Sequence, residues 1–208
     1  MLLVTLLTIQ AAWAFEGEGT EGSPYFIKTA DDWATFATNV NNGTDTDKYY
    51  KLSDDWDNSA SAVTATVGTS AHPFAGHFDG NSKTLTVALN STATGTSQTE
   101  QGVAPFHFIS GATIENLTVA GTIASASYHT AGIVGFAADA SNNTIQNCTV
   151  TATLNISNNH AGGIIGHGKE STTTISNCTF AGAIVGVGDN RAHIGGIWGW
   201  STTGILFL

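Results

Sequence analysis

His129, His160 and His193 are the residues whose spacing most invites chemistry. Each lies three positions before a glycine, at Gly132, Gly163 and Gly196. Three imidazoles are a ligand set for zinc or copper. Residues at one position of stacked repeats, however, point in parallel rather than toward one centre, and no carboxylate recurs beside these. The column therefore reads as stacked polar residues lining a turn. Exposed, it would titrate as a group and loosen below about pH 6. No metal and no other cofactor is expected. A second column, Phe136, His167 and Trp200, follows the closing glycine of the same step. Aromatic columns can stack sugar rings, and one varied ring per repeat is also what simple packing produces. These six residues are the candidate binding positions.

Cys148 and Cys178 share a column in which the preceding repeat has Leu117. That exchange marks the column as apolar and inward, and the pair as buried, stacked thiols. A disulfide between neighbouring coils is the alternative, against which parallel Cβ vectors argue. Polysaccharide lyases and hydrolases need paired carboxylates, or a calcium–arginine site, on one face. The repeats supply Glu115, Asp139, Glu170 and Asp189, with Arg191 as the chain's one arginine. No acid pair recurs among them at a strand column, so no catalytic residue is assigned.

These residues are positioned by a sequence written three times. Thr113-Ile-Glu-Asn-Leu-Thr-Val119, Thr144-Ile-Gln-Asn-Cys-Thr-Val150 and Thr174-Ile-Ser-Asn-Cys-Thr-Phe180 start 31 and then 30 residues apart. Each precedes a glycine-bounded apolar step: Gly132–Gly135, Gly163–Gly166 and Gly196–Gly199. A period of this size marks a solenoid, in which each unit buries its apolar face against its neighbours. The repeats are rich in Thr, Val, Ile, Asn and Gly and lack the i, i+3, i+4, i+7 spacing of helices, so they read as strands. Leu117 and Val119 share a face, but Ile114 stands three before Leu117. A bend at Asn116, repeated at Asn147 and Asn177, restores the alternation. The expected fold is all-β, a right-handed parallel β-helix with coils of about 30 residues, its strands stacked about 4.8 Å apart.

Charged residues make up 11% of the chain and hydrophobic ones 41%, which supports a core and argues against disorder. The net charge is −10, with six Lys and Arg in total and no basic cluster. That excludes the footprint of a nucleic-acid binder and disfavours anionic membranes. Residues 2–9 form a short apolar run followed by Ala12-Trp13-Ala14, a small-x-small pattern. The segment 1–14 reads as a secretory signal cut after Ala14, although its positive amino-terminal region is missing. No other stretch is long enough to span a bilayer.

Residues 15–44 read as an N-terminal strand and cap helix, and 45–208 as the β-helix. Pro24–Ile27 is a short strand. Thr29 with Asp32 resembles a capping box, and Trp33, Phe36, Ala37 and Val40 share one helical face that ends at Gly43. A lone amphipathic helix before a solenoid is expected to cover the open end of its core. Lys48–Leu52 and Val63–Val67 read as strands, Asp54–Asn58 as a solvated turn, Pro73–Asn81 as a turn-rich joint and Leu85–Leu89 as a strand. Val103–Ile109 occupies the place of an earlier glycine-bounded step. His107 stands there where a closing glycine belongs, which predicts a distorted coil.

The order Gly22-Ser-Pro-Tyr-Phe-Ile27, Asp32-Trp33, Phe36-Ala37, Tyr50-Lys-Leu52 and Phe74-Ala-Gly-His-Phe-Asp-Gly-Asn81 resembles the opening of secreted bacterial β-helix proteins with GLUG-type repeats. Gly162-Gly-Ile-Ile-Gly166 resembles the core of that motif. The resemblance covers about residues 20–200. Such repeats occur in surface proteins of Gram-negative gut bacteria and beside the peptidase domain of IgA-cleaving metallopeptidases. The resemblance implies a non-catalytic stalk or presentation module, and no His-Glu-x-x-His zinc motif occurs in this chain. The expected role is a secreted or cell-surface structural and adhesive module with a glycan or protein partner. A polysaccharide-processing enzyme is the alternative, and ice binding through the Thr118, Thr149 and Thr179 column is a third class. The apolar C-terminal tail, without a cap helix, is expected to belong to an incomplete array or to pair end to end with a second copy.

Overall fold

The three Thr-Ile-x-Asn copies follow one backbone path. In the computed structural model Ile114, Ile145 and Ile175 are partners on adjacent parallel strands. Asn116, Asn147 and Asn177 take left-handed φ values of 53°, 54° and 51°. This is the conformation that Asn tolerates better than other side chains. Their amides stack: Asn147 Nδ2 donates to Asn116 Oδ1 at 3.1 Å, and Asn177 Nδ2 to Asn147 Oδ1 at 3.2 Å. The corner required by the spacing is therefore present in every copy.

The structure describes residues 15–91, 102–126, 128–138, 142–157, 160–186, 193–202 and 205–207. The proposed leader, Asp139, Asp189 and Arg191 lie outside the described residues. Each coil has one leg of Thr-Ile strand, Asn corner and return strand, followed by two short strands, for instance His129–Ala131 and Val134–Ala137. About four coils stack as a parallel β-helix, and every pairing between the named strands is parallel. Core residues form columns along the stack: Ile123 with Leu154 and Ile184, and Val134 with Ile165 and Trp198. Burial weakens along it. Ile114 and Ile145 are buried, whereas Cys178, Phe180, Ile184 and Trp198 are partly buried and Val185 and Ile194 are exposed.

The first coil carries the helix Ala30–Asn41, started by the predicted capping box. Asp32 N donates to Thr29 Oγ1 at 3.1 Å and Thr29 N to Asp32 Oδ2 at 2.9 Å. Gly43, at φ 81°, ends it. Trp33, Phe36, Ala37 and Val40 are buried, and Trp33 and Phe36 meet Phe78 and Phe106 ring to ring. Trp33 Nε1 donates to Ala65 O at 2.9 Å and Asn41 Nδ2 to Thr66 O at 3.0 Å, fastening the helix over the segment that closes the core.

Several expectations need correction. Val63 and Val67 make only isolated bridges, to Val87 and Phe106, because each turns inward alone rather than as part of a ladder. Asp54–Asn58 is not wholly solvated. Trp56 is buried and donates to Thr84 O at 2.8 Å, and Asn58 is buried against Thr86. Of the expected joint Pro73–Asn81, residues 77–81 are the start of one strand, His77–Ser91. Its bend falls at Asn81 and Ser82, with φ 51° and 57°. His107 does not distort its coil. Phe106, Phe108 and Ile109 keep register with Val134, Phe136 and Ala137, since Gly102 lies opposite the His107 ring and leaves room for it.

Candidate functional site

The predicted columns come together as one ladder of rings. His129, His160 and His193 are partners on parallel strands, as are Phe108, Phe136, His167 and Trp200. The two strands of each step lie face to face, and glycine makes this approach possible. A Cβ on Gly166 would sit 3.1 Å from the backbone carbon of His129 on the facing strand, and one on Gly162 only 1.7 Å from Ile165 O. Rings from the two columns then interleave between coils. Centroids lie 4.5 Å apart for His129–His167, 4.4 Å for His160–Trp200 and 4.4 Å for His167–Trp200.

This ladder is interior. His129, Phe136, His160 and His167 are at most 5% exposed, so only His193 and the edge of Trp200 reach solvent. His160 Nδ1 and His193 Nδ1 are 3.1 Å apart, a contact between imidazoles rather than the span of two ligands about a metal. Among the described residues no group of three His, Cys, Asp or Glu side chains could hold a metal ion. In the coil that begins at His77 the roles exchange: the histidine column has Gly102, the glycine column has His107, and Gly102 N donates to His107 Nε2 at 3.1 Å. His107 keeps part of its surface in solvent, yet burial of the ring lowers its pKa to about 4.

A different set of side chains forms an open groove on the lateral face. Tyr50, Phe78 and Ile114 point into the core, so by strand alternation their neighbours point out. Tyr49 and Lys51, His77 and Asp79, and Thr113 and Glu115 thus lie side by side on three adjacent strands. With Glu21, Phe26 and Asp54 at the rim, all of these but Thr113 line a groove of about 510 Å³. Tyr49 stacks on His77 at 5.2 Å and 26°. His77 Nε2 lies 2.8 Å from Glu115 Oε1, and Gln146 Nε2 donates to Glu115 Oε2 at 2.6 Å.

Asp79 anchors the other half. Lys51 Nζ pairs with Asp79 Oδ2 at 2.9 Å, while Asn116 Nδ2 and Asn81 N donate to Oδ1 at 3.0 and 2.8 Å. Burial works to raise the Asp79 pKa, but these hydrogen bonds and the Lys51 charge outweigh it and hold the carboxyl below its ordinary value. Asp79 and Glu115 are direct strand partners, a carboxylate pair that inspection of the repeats alone misses. Aligning Tyr49-Tyr-Lys51, His77-Phe-Asp79 and Thr113-Ile-Glu115 on their central apolar residue would have exposed it. The pair as held accepts hydrogen bonds. A glycosidase needs one carboxyl kept protonated as general acid, whereas Asp79 is held ionised and both Glu115 oxygens are engaged.

No described helix is long and apolar enough to cross a membrane. Comparison with protein families, with curated proteins and with solved structures finds no match to this chain.

Proposed function

We propose that this chain is an exported, GLUG-like β-helix module that presents its lateral groove to a glycan. The observation that carries the reading is the Tyr49–His77 stack beside Lys51, Asp79 and Glu115. A sugar is recognised by an aromatic face together with a few fixed hydrogen-bonding groups in a concave site. The groove offers both, on strands braced by neighbouring coils rather than on a loop. The leader-like residues 1–14 support export, and the low content of basic residues speaks against nucleic acid as the partner.

The test is binding of the purified chain to an immobilised panel of neutral, amino and acidic glycans. Binding should be lost in Tyr49→Ala and weakened in Lys51→Ala, with both variants still fully folded at the assay temperature. A wild-type chain that binds none of the panel, or binding indifferent to both changes, removes this reading. A second reading, a polysaccharide-processing enzyme, would need Asp79 and Glu115 to act as its carboxylate pair, against the way both are held. Release of reducing ends from a bound glycan, abolished by Glu115→Gln, would establish it.

A further inference from the structure

We propose that Cys148 and Cys178 together form a two-coordinate site for a soft monovalent cation of the copper(I) class. The two residues occupy one column of consecutive coils, and Thr179 N donates to Cys148 O at 2.9 Å, fixing the coils in register. The corners just before them are tied by the Asn147–Asn177 amide bond of 3.2 Å. Both thiols are free. They turn the same way, toward carbonyls of their own and the preceding coil: Cys148 Sγ lies 3.1 Å from Gln146 O, and Cys178 Sγ 3.3 Å from Ser176 O.

That geometry is wrong for a disulfide and right for a bridging ion. Strands stack about 4.8 Å apart, within the Cα range of a disulfide, but side chains that run parallel must turn toward each other to bring their Cβ atoms to about 3.8 Å. Two metal–sulfur bonds of about 2.3 Å each span about 4.6 Å when collinear, close to the stacking distance. Thiolates select copper(I), zinc and iron–sulfur centres, and of these copper(I) accepts two ligands. A tetrahedral zinc site would need two further ligands, and no third His, Cys, Asp or Glu joins the pair among the described residues.

On binding, each S–H bond breaks and its proton leaves to solvent, two sulfur–metal bonds form, and no electron is transferred. Cys178 is half-buried and gives access, whereas Cys148 is enclosed.

The experiment titrates the full chain with copper(I) held by a chromogenic chelator, under reducing conditions and with excess monothiol present. Two thiols on one rigid scaffold should outcompete separate thiols through effective concentration. The expected result is one copper withdrawn per chain, with a rise in melting temperature. Cys148→Ser and Cys178→Ser should each lose it. Because Cys148→Ser alters the core, Cys178→Ser, checked for an unchanged melt, decides if the former fails to fold. No copper withdrawn, or two coppers bound with one retained in each single variant, overturns the site.

Discussion

The ring ladder and the lateral groove use similar side chains to opposite ends. In the ladder, His129, His160 and His193 repeat from coil to coil, and each ring rests on rings above and below. In the groove the outward column changes at each step, from Lys51 to Asp79, Glu115, Gln146 and Ser176. Repetition in a solenoid is what stacking itself demands, since each unit is supported by its neighbours. A column that changes chemistry at every coil is not explained by stacking. The difference teaches that, in this fold, a histidine or aromatic column that repeats answers first to stacking, whereas a column that changes from coil to coil calls for another reason.

The sharpest way to break that contrast is to cut into the ladder. Phe136→Ala removes a buried ring that packs between Phe108 and His167, and should cost about 3–5 kcal/mol in a denaturant titration. A loss below about 1 kcal/mol would mean that the ladder is not core.

Acid should separate the two regions next. Burial lowers the His107 pKa to about 4, so the unfolded chain, near 6.5, binds the proton more readily. Stability from this group is complete above about pH 6.5, declines as pH falls toward about 4 and levels off below, on the order of 3 kcal/mol in all. Asp79 acts in a lower window. Its depressed pKa contributes stability above the ordinary carboxylate range that is lost as pH falls through the folded value. Melting curves of His107→Gln and Asp79→Asn against pH should flatten these two windows separately. A decline between pH 6.5 and 4 that His107→Gln leaves unaltered would remove His107 as its cause.

The corners come third. Asn147→Ala places a Cβ-bearing residue at φ 54° without a ladder amide, and should cost about 1–3 kcal/mol. Asn147→Gly should recover the backbone part of that loss. Equal losses for the two variants would assign the cost to the amide ladder alone.

The smallest effects belong to the groove. Tyr49→Ala and Lys51→Ala should shift stability by no more than about 1 kcal/mol, because both side chains are partly solvated. A larger loss would make the groove a structural element.

Much of this fold was legible in the repeats. The period, the Asn corner at Asn116, the inward cysteine column and the face of the cap helix all follow from local spacing, and each holds in the structure. The long strand His77–Ser91 was not legible. Pro73, Gly76 and Gly80 are ordinary turn signals, and here pairing with the strand Thr113–Ser125 overrides them. The candidate site was read less well. The six ladder residues do come together, but sequence alone could not show that glycines let two strands meet face to face and enclose them. Asp79 and Glu115 lie 36 positions apart in the chain, so only the register of the stack makes them neighbours.

Histidine modification read by mass spectrometry tests the central contrast most directly, because it reports the two regions in one sample. Carbethoxylation of the native chain should be fast at the exposed His72 and His193 and measurable at His77 in the groove. His129, His160 and His167 should be protected until the protein unfolds. Modification of His129 and His160 at the rate of His193 would place the ladder on the surface and contradict the account.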